Sequence, residues 1–164
     1  MALAYIGLGS NLEDPLAQVK RALDELAELE HTRLLARSSI YSSLPVGPEQ
    51  PDYINAVALI DTRLEPLALL DALQSIEQAH QRVRIQHWGP RTLDLDLLLY
   101  DNQIIQHPRL VVPHPYLTQR GFVLYPLADI SPNLHLPDGQ PLQALLAQCP
   151  FEGLVRLPDD RYPA

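Results

Sequence analysis

The sequence predicts an α+β fold: a ferredoxin-like βαββαβ core with a mostly antiparallel sheet, helices packed on one face, and a proline-rich C-terminal extension. Three observations predict it. Apolar runs of period two alternate with apolar stripes of helical spacing in the order strand, helix, strand, strand, helix, strand. Glycine, proline and polar residues punctuate most of the joins. Prolines then crowd the chain after Asp101 (Pro108, Pro113, Pro115, Pro126, Pro132, Pro137, Pro141), which favours short helices and turns packed around the sheet.

Residues 3–9, LAYIGLG, read as a buried first strand, with GLGSN at 7–11 as its end and a tight turn. Asp14 and Pro15 supply a helix cap and first position, and Leu16, Val19, Leu23, Leu26 and Ala27 recur at helical spacing to about residue 30. Leu34 to Tyr41 reads as a second strand, ended by the loop SLPVGPEQP at 43–51. Alternation through Ile54, Ala56, Ala58 and Ile60 gives a third strand from Tyr53, and Pro66 opens a second helix with the stripe Leu69, Leu73, Ile76. The polar stretch HQRVRIQHWGPR leads into TLDLDLLLY, a fourth strand by its period of two, and a last helix is expected over Leu142–Gln148. With both helices on one face, the other face of the sheet is expected to be partly open.

A chain of 164 residues, 46% hydrophobic and 20% charged, suits one globular domain spanning 1–164. No apolar run approaches the roughly 20 residues needed to cross a bilayer, and MALAYIGLGSN lacks the basic start and long apolar stretch of a secretory signal. A cytoplasmic monomer that acts on small-molecule substrates is the expectation. The single cysteine, Cys149, excludes an internal disulfide and a thiolate metal cage.

A net charge of −8 disfavours a general nucleic-acid binder. The charge is uneven, however: residues 82–120 carry five arginines (Arg82, Arg84, Arg91, Arg109, Arg120) against three acids (Asp94, Asp96, Asp101). Arginine grips phosphate oxygens two at a time, so an arginine-rich segment in an acidic protein suggests a small phosphorylated ligand; a solvated basic face is the alternative.

In the fourth strand Leu93, Leu95, Leu97 and Leu99 are expected to point one way and Asp94 and Asp96 the other. At a rise of roughly 3.4 Å per residue the two acids stand about 7 Å apart at their α-carbons. Two carboxylates so close call for a cation between them, and Mg²⁺ is commonly held by one or two carboxylates plus water and substrate phosphates. Trp88-Gly89-Pro90-Arg91 forms a turn delivering Arg91 to this strand, and metal plus arginine suffices for phosphoryl transfer, which asks for little covalent work. Gln74 and Glu77 border the stripe of the second helix, and His114 sits between two prolines. A flat aromatic ligand would find faces on Trp88, Tyr53 and Phe122 and an edge reader in Asn55. From these residues an ATP-dependent transferase, a non-catalytic metal-nucleotide sensor and a phosphate-ester hydrolase all remain open.

YIGLGSN at 5–11, GPEQPDYINAV at 47–57, RVR at 82–84, WGPRTLDLDLLLY at 88–100, and VPHP with RGFVLYPL at 112–127 together resemble the hydroxymethyldihydropterin pyrophosphokinase family of folate biosynthesis. The resemblance implies ATP as co-substrate, two Mg²⁺ ions, and transfer of a pyrophosphoryl group to the pterin's hydroxymethyl oxygen with release of AMP. It implies Asp94 and Asp96 as metal ligands and Arg82 and Arg91 as charge stabilisers. Gln74, Glu77, Arg82, Arg84, Trp88, Arg91, Leu97, Arg109, His114 and Arg120 match positions around ATP, and Ser43, Leu44, Val46, Tyr53, Asn55, Trp88 and Phe122 match the pterin pocket. Segments 43–52 and 82–91 are expected to close over substrates.

Overall fold

The computed structural model describes residues 1–11, 14–43, 53–81, 93–115, 117–149 and 153–157. Its centre is an antiparallel sheet built on two long neighbours, β1 (Ala2–Ser10) and β4 (Tyr53–Thr62), which pair along their whole length from Ala2↔Thr62 to Ser10↔Ile54. On the far side of β1 lies β5 (Asp94–Tyr100), and on the far side of β4 lie β2 (Thr32–Arg37) and β3 (Tyr41–Ser43). A C-terminal strand, β8 (Leu154–Arg156), adds to the outer edge of β3, giving the order β5-β1-β4-β3-β8 with β2 also on β4. Between β5 and β8 the chain forms a hairpin, β6 (Ile105–His107) with β7 (Leu110–Val112).

The one expected strand over residues 34–41 is two short strands. Its break has a local cause: Val57 N–H donates to the hydroxyl of Ser38 at 2.9 Å, and Ser38 N–H donates to Val57 O at 2.9 Å. A side chain thus takes a place in the ladder that a carbonyl would hold, and regular pairing resumes only at Tyr41.

Helix α1 (Pro15–Ala27) begins as its sequence dictates, with the Asp14 carboxylate accepting from Ala17 N–H at 3.4 Å and proline at the first position. Its Val19, Ala22, Leu23 and Leu26 and the Leu69 and Leu73 of α2 (Pro66–Gln81) are fully buried against Ala4, Ile6, Leu8, Ala56, Ala58, Ile60 and Leu95 on one face of the sheet. The helices are also tied by a buried polar contact, His80 to Glu25 at 2.5 Å and to Gln18.

The second face is only partly open, covered in part by short helices of the proline-rich segment. Helices α3 (Gly121–Ile130) and α4 (Leu142–Ala147), the latter matching the expected last helix, cover Tyr5, Val57, Leu98 and Leu99 there. Leu99 also departs from the expected alternation. The register slips between Tyr5↔Leu99 and Ile6↔Leu97, so Leu98 is an extra residue; Leu99 joins Leu98 on the α3 face while Tyr100 turns to the α1 and α2 core. Upstream of this bulge the alternation holds, and Asp94 and Asp96 lie on the face that α3 covers only in part.

Candidate active site

Two glycines keep the end of that face open. On β1, Gly9 pairs with Asp94 and Gly7 with Asp96, and on the other side Gly9 pairs with Asn55. Lacking side chains, they form a flat floor beside the acids, and the room is tight enough that a Cβ at Gly9 would stand 3.0 Å from Asn55 Nδ2. The result is a cleft of about 850 Å³ lined by Gly7, Gly9, Ser43, Tyr53, Asn55, Asp94, Asp96, Arg120 and Phe122, and also by Val123, Gly153 and Leu154. A volume of that size suits a small-molecule ligand.

The acids are held by the strand that bears them. Among the described residues β5 is an edge strand, paired with β1 on one side. Between the two acids, Leu95 N–H donates to Glu77 Oε2 of α2 at 2.7 Å. Glu77 therefore serves the site by fixing the backbone from which Asp94 and Asp96 project. The bulge contributes as well: Leu98 O accepts from His114 N–H at 3.0 Å, which brings the His114 ring to 4.0 Å from Asp96 Oδ2.

Across the cleft, Ser43 Oγ donates to Asn55 Oδ1 at 3.0 Å. That bond fixes the amide's orientation, turning its NH₂ toward the Gly9 floor as a donor. Asn55 is buried, Tyr53 and Phe122 are partly exposed, and Arg120 lies over the Phe122 ring with Cζ 5.6 Å from its centroid. Ser43, Tyr53 and Asn55 come from paired strands and Phe122 from the start of α3, so the aromatic residues and the edge-reading amide meet although they are far apart in sequence.

Other expected residues fall elsewhere. Arg109 donates to Asp71 at 2.5 Å and to Gln74 at 3.3 Å, so Arg109 and Gln74 meet each other on the outer side of α2, and neither lines the cleft. The Leu97 side chain is buried in the α1 and α2 core, facing away from Asp94 and Asp96, and offers a ligand no side-chain surface. Leu44, Val46, Arg82, Arg84, Trp88 and Arg91, with most of the two segments expected to close, lie outside the described residues. Gly7, Gly9, Gly153 and Leu154 were not expected at the site. An alternating Gly-x-Gly on the face of Asp94 and Asp96 is the signal for the first pair; the second arrives by a strand pairing that leaves no local mark.

The donor set fits a hard cation. Two carboxylates on one strand face offer hard oxygen ligands, with the His114 ring 4.0 Å from Asp96, and no cluster of three or more potential ligands occurs among the described residues. Such a site needs further oxygens from water and a phosphorylated substrate.

Comparison with known proteins agrees with the geometry. Residues 5–132 match the family described as 7,8-dihydro-6-hydroxymethylpterin-pyrophosphokinase (HPPK). A 2-amino-4-hydroxy-6-hydroxymethyldihydropteridine pyrophosphokinase of Pseudomonas aeruginosa is 57% identical over 155 residues, covering 94% of this chain and 96% of that protein. One of Haemophilus influenzae is 49% identical over 158 residues, covering 96% and 99%. Among solved structures, a wild-type Plasmodium falciparum HPPK-DHPS chain superposes with a TM-score of 0.71 at 14% identity; it covers 90% of this chain, which spans 43% of that longer one, and the likeness is one of fold.

Proposed function

The chain belongs to the 7,8-dihydro-6-hydroxymethylpterin-pyrophosphokinase family, and we propose that the cleft beside Asp94 and Asp96 is where it carries out pyrophosphoryl transfer. The enzyme transfers pyrophosphate from ATP to the hydroxymethyl group of 6-hydroxymethyl-7,8-dihydropterin and releases AMP, a step of folate biosynthesis. For AMP to leave, the hydroxymethyl oxygen must bond to the β-phosphorus and give up its proton to water, while the bond between the β-phosphorus and the bridging oxygen breaks and that oxygen departs with the α-phosphate.

The observation that carries this reading is one juxtaposition: two carboxylates on a glycine floor, facing a pocket with two aromatic side chains and an oriented amide. The pterin ring lies against Tyr53 and Phe122, and Asn55, held by Ser43, reads its edge with NH₂ donors. Leu44, Val46 and Trp88 are assigned to the same ligand on the family resemblance. Asp94 and Asp96 would hold Mg²⁺, two ions with ATP, which would neutralise triphosphate oxygens. Arg120 at the cleft, and Arg82, Arg84 and Arg91 in the segment that precedes β5 in sequence, are assigned to the same oxygens, Arg82 and Arg91 for the charge that develops in transfer. Gln74, Glu77, Leu97, Arg109 and His114 are assigned to the nucleotide side, Gln74 and Arg109 from outside the described cleft. A loose transition state needs nucleophile and leaving group held in line more than it needs a strong base.

The strand order β5-β1-β4-β3 with α1 and α2 on one face supports a ferredoxin-like core, with the proline-rich remainder as its extension and residues 1–164 as one domain. Among the described residues no helix is long and apolar enough to cross a membrane. We read the protein as a cytoplasmic monomer acting on small molecules.

The test is direct. Purified protein with ATP, Mg²⁺ and hydroxymethyldihydropterin yields AMP and the pterin diphosphate. ADP as the nucleotide product, or AMP without pterin, overturns the proposal; the latter would identify a hydrolase, and binding of both substrates without any turnover would identify a sensor.

A further inference from the structure

Three separate elements wall the ring pocket: β3 through Ser43, α3 through Phe122 and Val123, and β8 through Leu154 with Gly153 just before it. β8 is only three residues long, and its pairing with β3 consists of Tyr41↔Arg156, Ser42↔Val155 and Ser43↔Leu154. So short a ladder holds a wall weakly by itself.

One side-chain cluster joins all three elements. Tyr41 of β3 donates its hydroxyl to Asp129 Oδ2 of α3 at 2.7 Å. Arg156 of β8 donates from Nε and Nη2 to the Tyr41 oxygen at 3.1 and 2.9 Å, and from Nη2 to Asp129 Oδ1 at 3.0 Å. Its guanidinium lies 5.4 Å over the Tyr41 ring, and Ser39 N–H donates to the same Asp129 carboxylate at 3.3 Å. Tyr41 is fully buried.

Each member stands in a fixed relation to a pocket residue. Tyr41 is the register partner of Asn55 and, two residues from Ser43, shares its face. Arg156 is two residues from Leu154 on β8. Asp129 follows Phe122 by about two helical turns, so both project from one side of α3.

We infer that Arg156, Asp129 and Tyr41 form a positioning network that fixes β8 and α3 against β3 and so sets the shape of the pterin pocket, without touching the ligand. This rests on the pterin reading of the cleft. The Arg156 side chain is 56% exposed, and exposed ion pairs contribute little to stability, so loss of Arg156 falls chiefly on pocket shape and not on whether the chain folds.

The experiment compares wild type with Arg156→Ala, Arg156→Lys and Tyr41→Phe. Pterin affinity is measured by calorimetry with Mg²⁺ and a non-hydrolysable ATP analogue saturating, alongside steady-state constants for both substrates. The network predicts that Arg156→Ala weakens pterin binding and raises its KM about five- to tenfold, the equivalent of roughly one hydrogen-bonded contact. KM for ATP and kcat at saturating pterin stay near wild type. Arg156→Lys, which keeps the charge but not the fork, recovers part of the loss. Tyr41→Phe, which preserves volume, moves pterin affinity the same way and serves if the alanine variant does not fold. Pterin affinity unchanged in folded Arg156→Ala and Tyr41→Phe, or equal losses for both substrates, overturns the inference. A wild-type protein that binds no pterin overturns instead the reading on which it rests.

Discussion

Replacing Glu77 by alanine should loosen the strand that bears both acids. Leu95 N–H sits on the edge of β5 away from β1, and it donates to the Glu77 carboxylate at 2.7 Å. Leu95 as a whole is 4% exposed, so in Glu77→Ala its amide is left in a poorly solvated place without that acceptor. An orphaned buried donor costs about 1–3 kcal/mol. Taking about 2 kcal/mol, the melting temperature of a domain of this size falls by about 4–8 °C. Glu77→Gln retains a carbonyl oxygen at the same reach and should lose about half as much or less. Because Leu95 lies between Asp94 and Asp96, the second consequence is functional. At a temperature where every variant is folded, Mn²⁺ titrated with a non-hydrolysable ATP analogue should bind more weakly to Glu77→Ala than to Glu77→Gln. The assays are thermal unfolding by circular dichroism and the Mn²⁺ titration. A Glu77→Ala protein that melts with wild type and binds Mn²⁺ as tightly would refute the view that Glu77 secures this backbone.

Two further outcomes follow from the geometry. Gly9→Ala places a Cβ 3.0 Å from Asn55 Nδ2 and must displace the amide that Ser43 orients, so the KM for pterin should rise about three- to tenfold with little change in KM for ATP; equal pterin KM values would show that the floor has room to spare. The Tyr41 hydroxyl, pushed up to about 12 by burial and by its bond to Asp129, keeps its proton in the folded protein after the unfolded chain has lost it. Its contribution to stability is therefore complete below about pH 10 and disappears as the pH climbs from there to about 12. Denaturant unfolding across that window should show a steeper fall for wild type than for Tyr41→Phe, and parallel curves would contradict the assignment.

Much of this architecture can be read from local pattern because it depends on local pattern. The period of two in β4 and the upstream part of β5, and the helical stripes of α1 and α2, are the faces that the core buries. The common face of Asp94 and Asp96 follows from the same alternation. What escapes such reading depends on a second strand or a distant element. Leu99 changes face because the register against β1 slips at Leu98, and Ser38 interrupts its strand by bonding Val57. Gly7 and Gly9 look like a strand end until their pairing opposite Asp96 and Asp94 makes them a floor. Glu77, which pattern alone would leave as the border of a helix, reaches the backbone of Leu95 only in three dimensions. Leu154 and Arg156 come to the site by pairing with β3, more than a hundred residues earlier in the chain.

The claim beneath the whole account is that Asp94 and Asp96, side by side on one strand face, bind the divalent cation that accompanies the nucleotide. Mn²⁺ binding, followed by its electron paramagnetic resonance signal with a non-hydrolysable ATP analogue present, tests it without any need for turnover. Asp94→Asn and Asp96→Asn should each weaken Mn²⁺ by at least about tenfold while leaving the fold intact, and the double variant should bind it no better than the nucleotide does alone. A folded double variant that holds Mn²⁺ as wild type does would put the cation somewhere else.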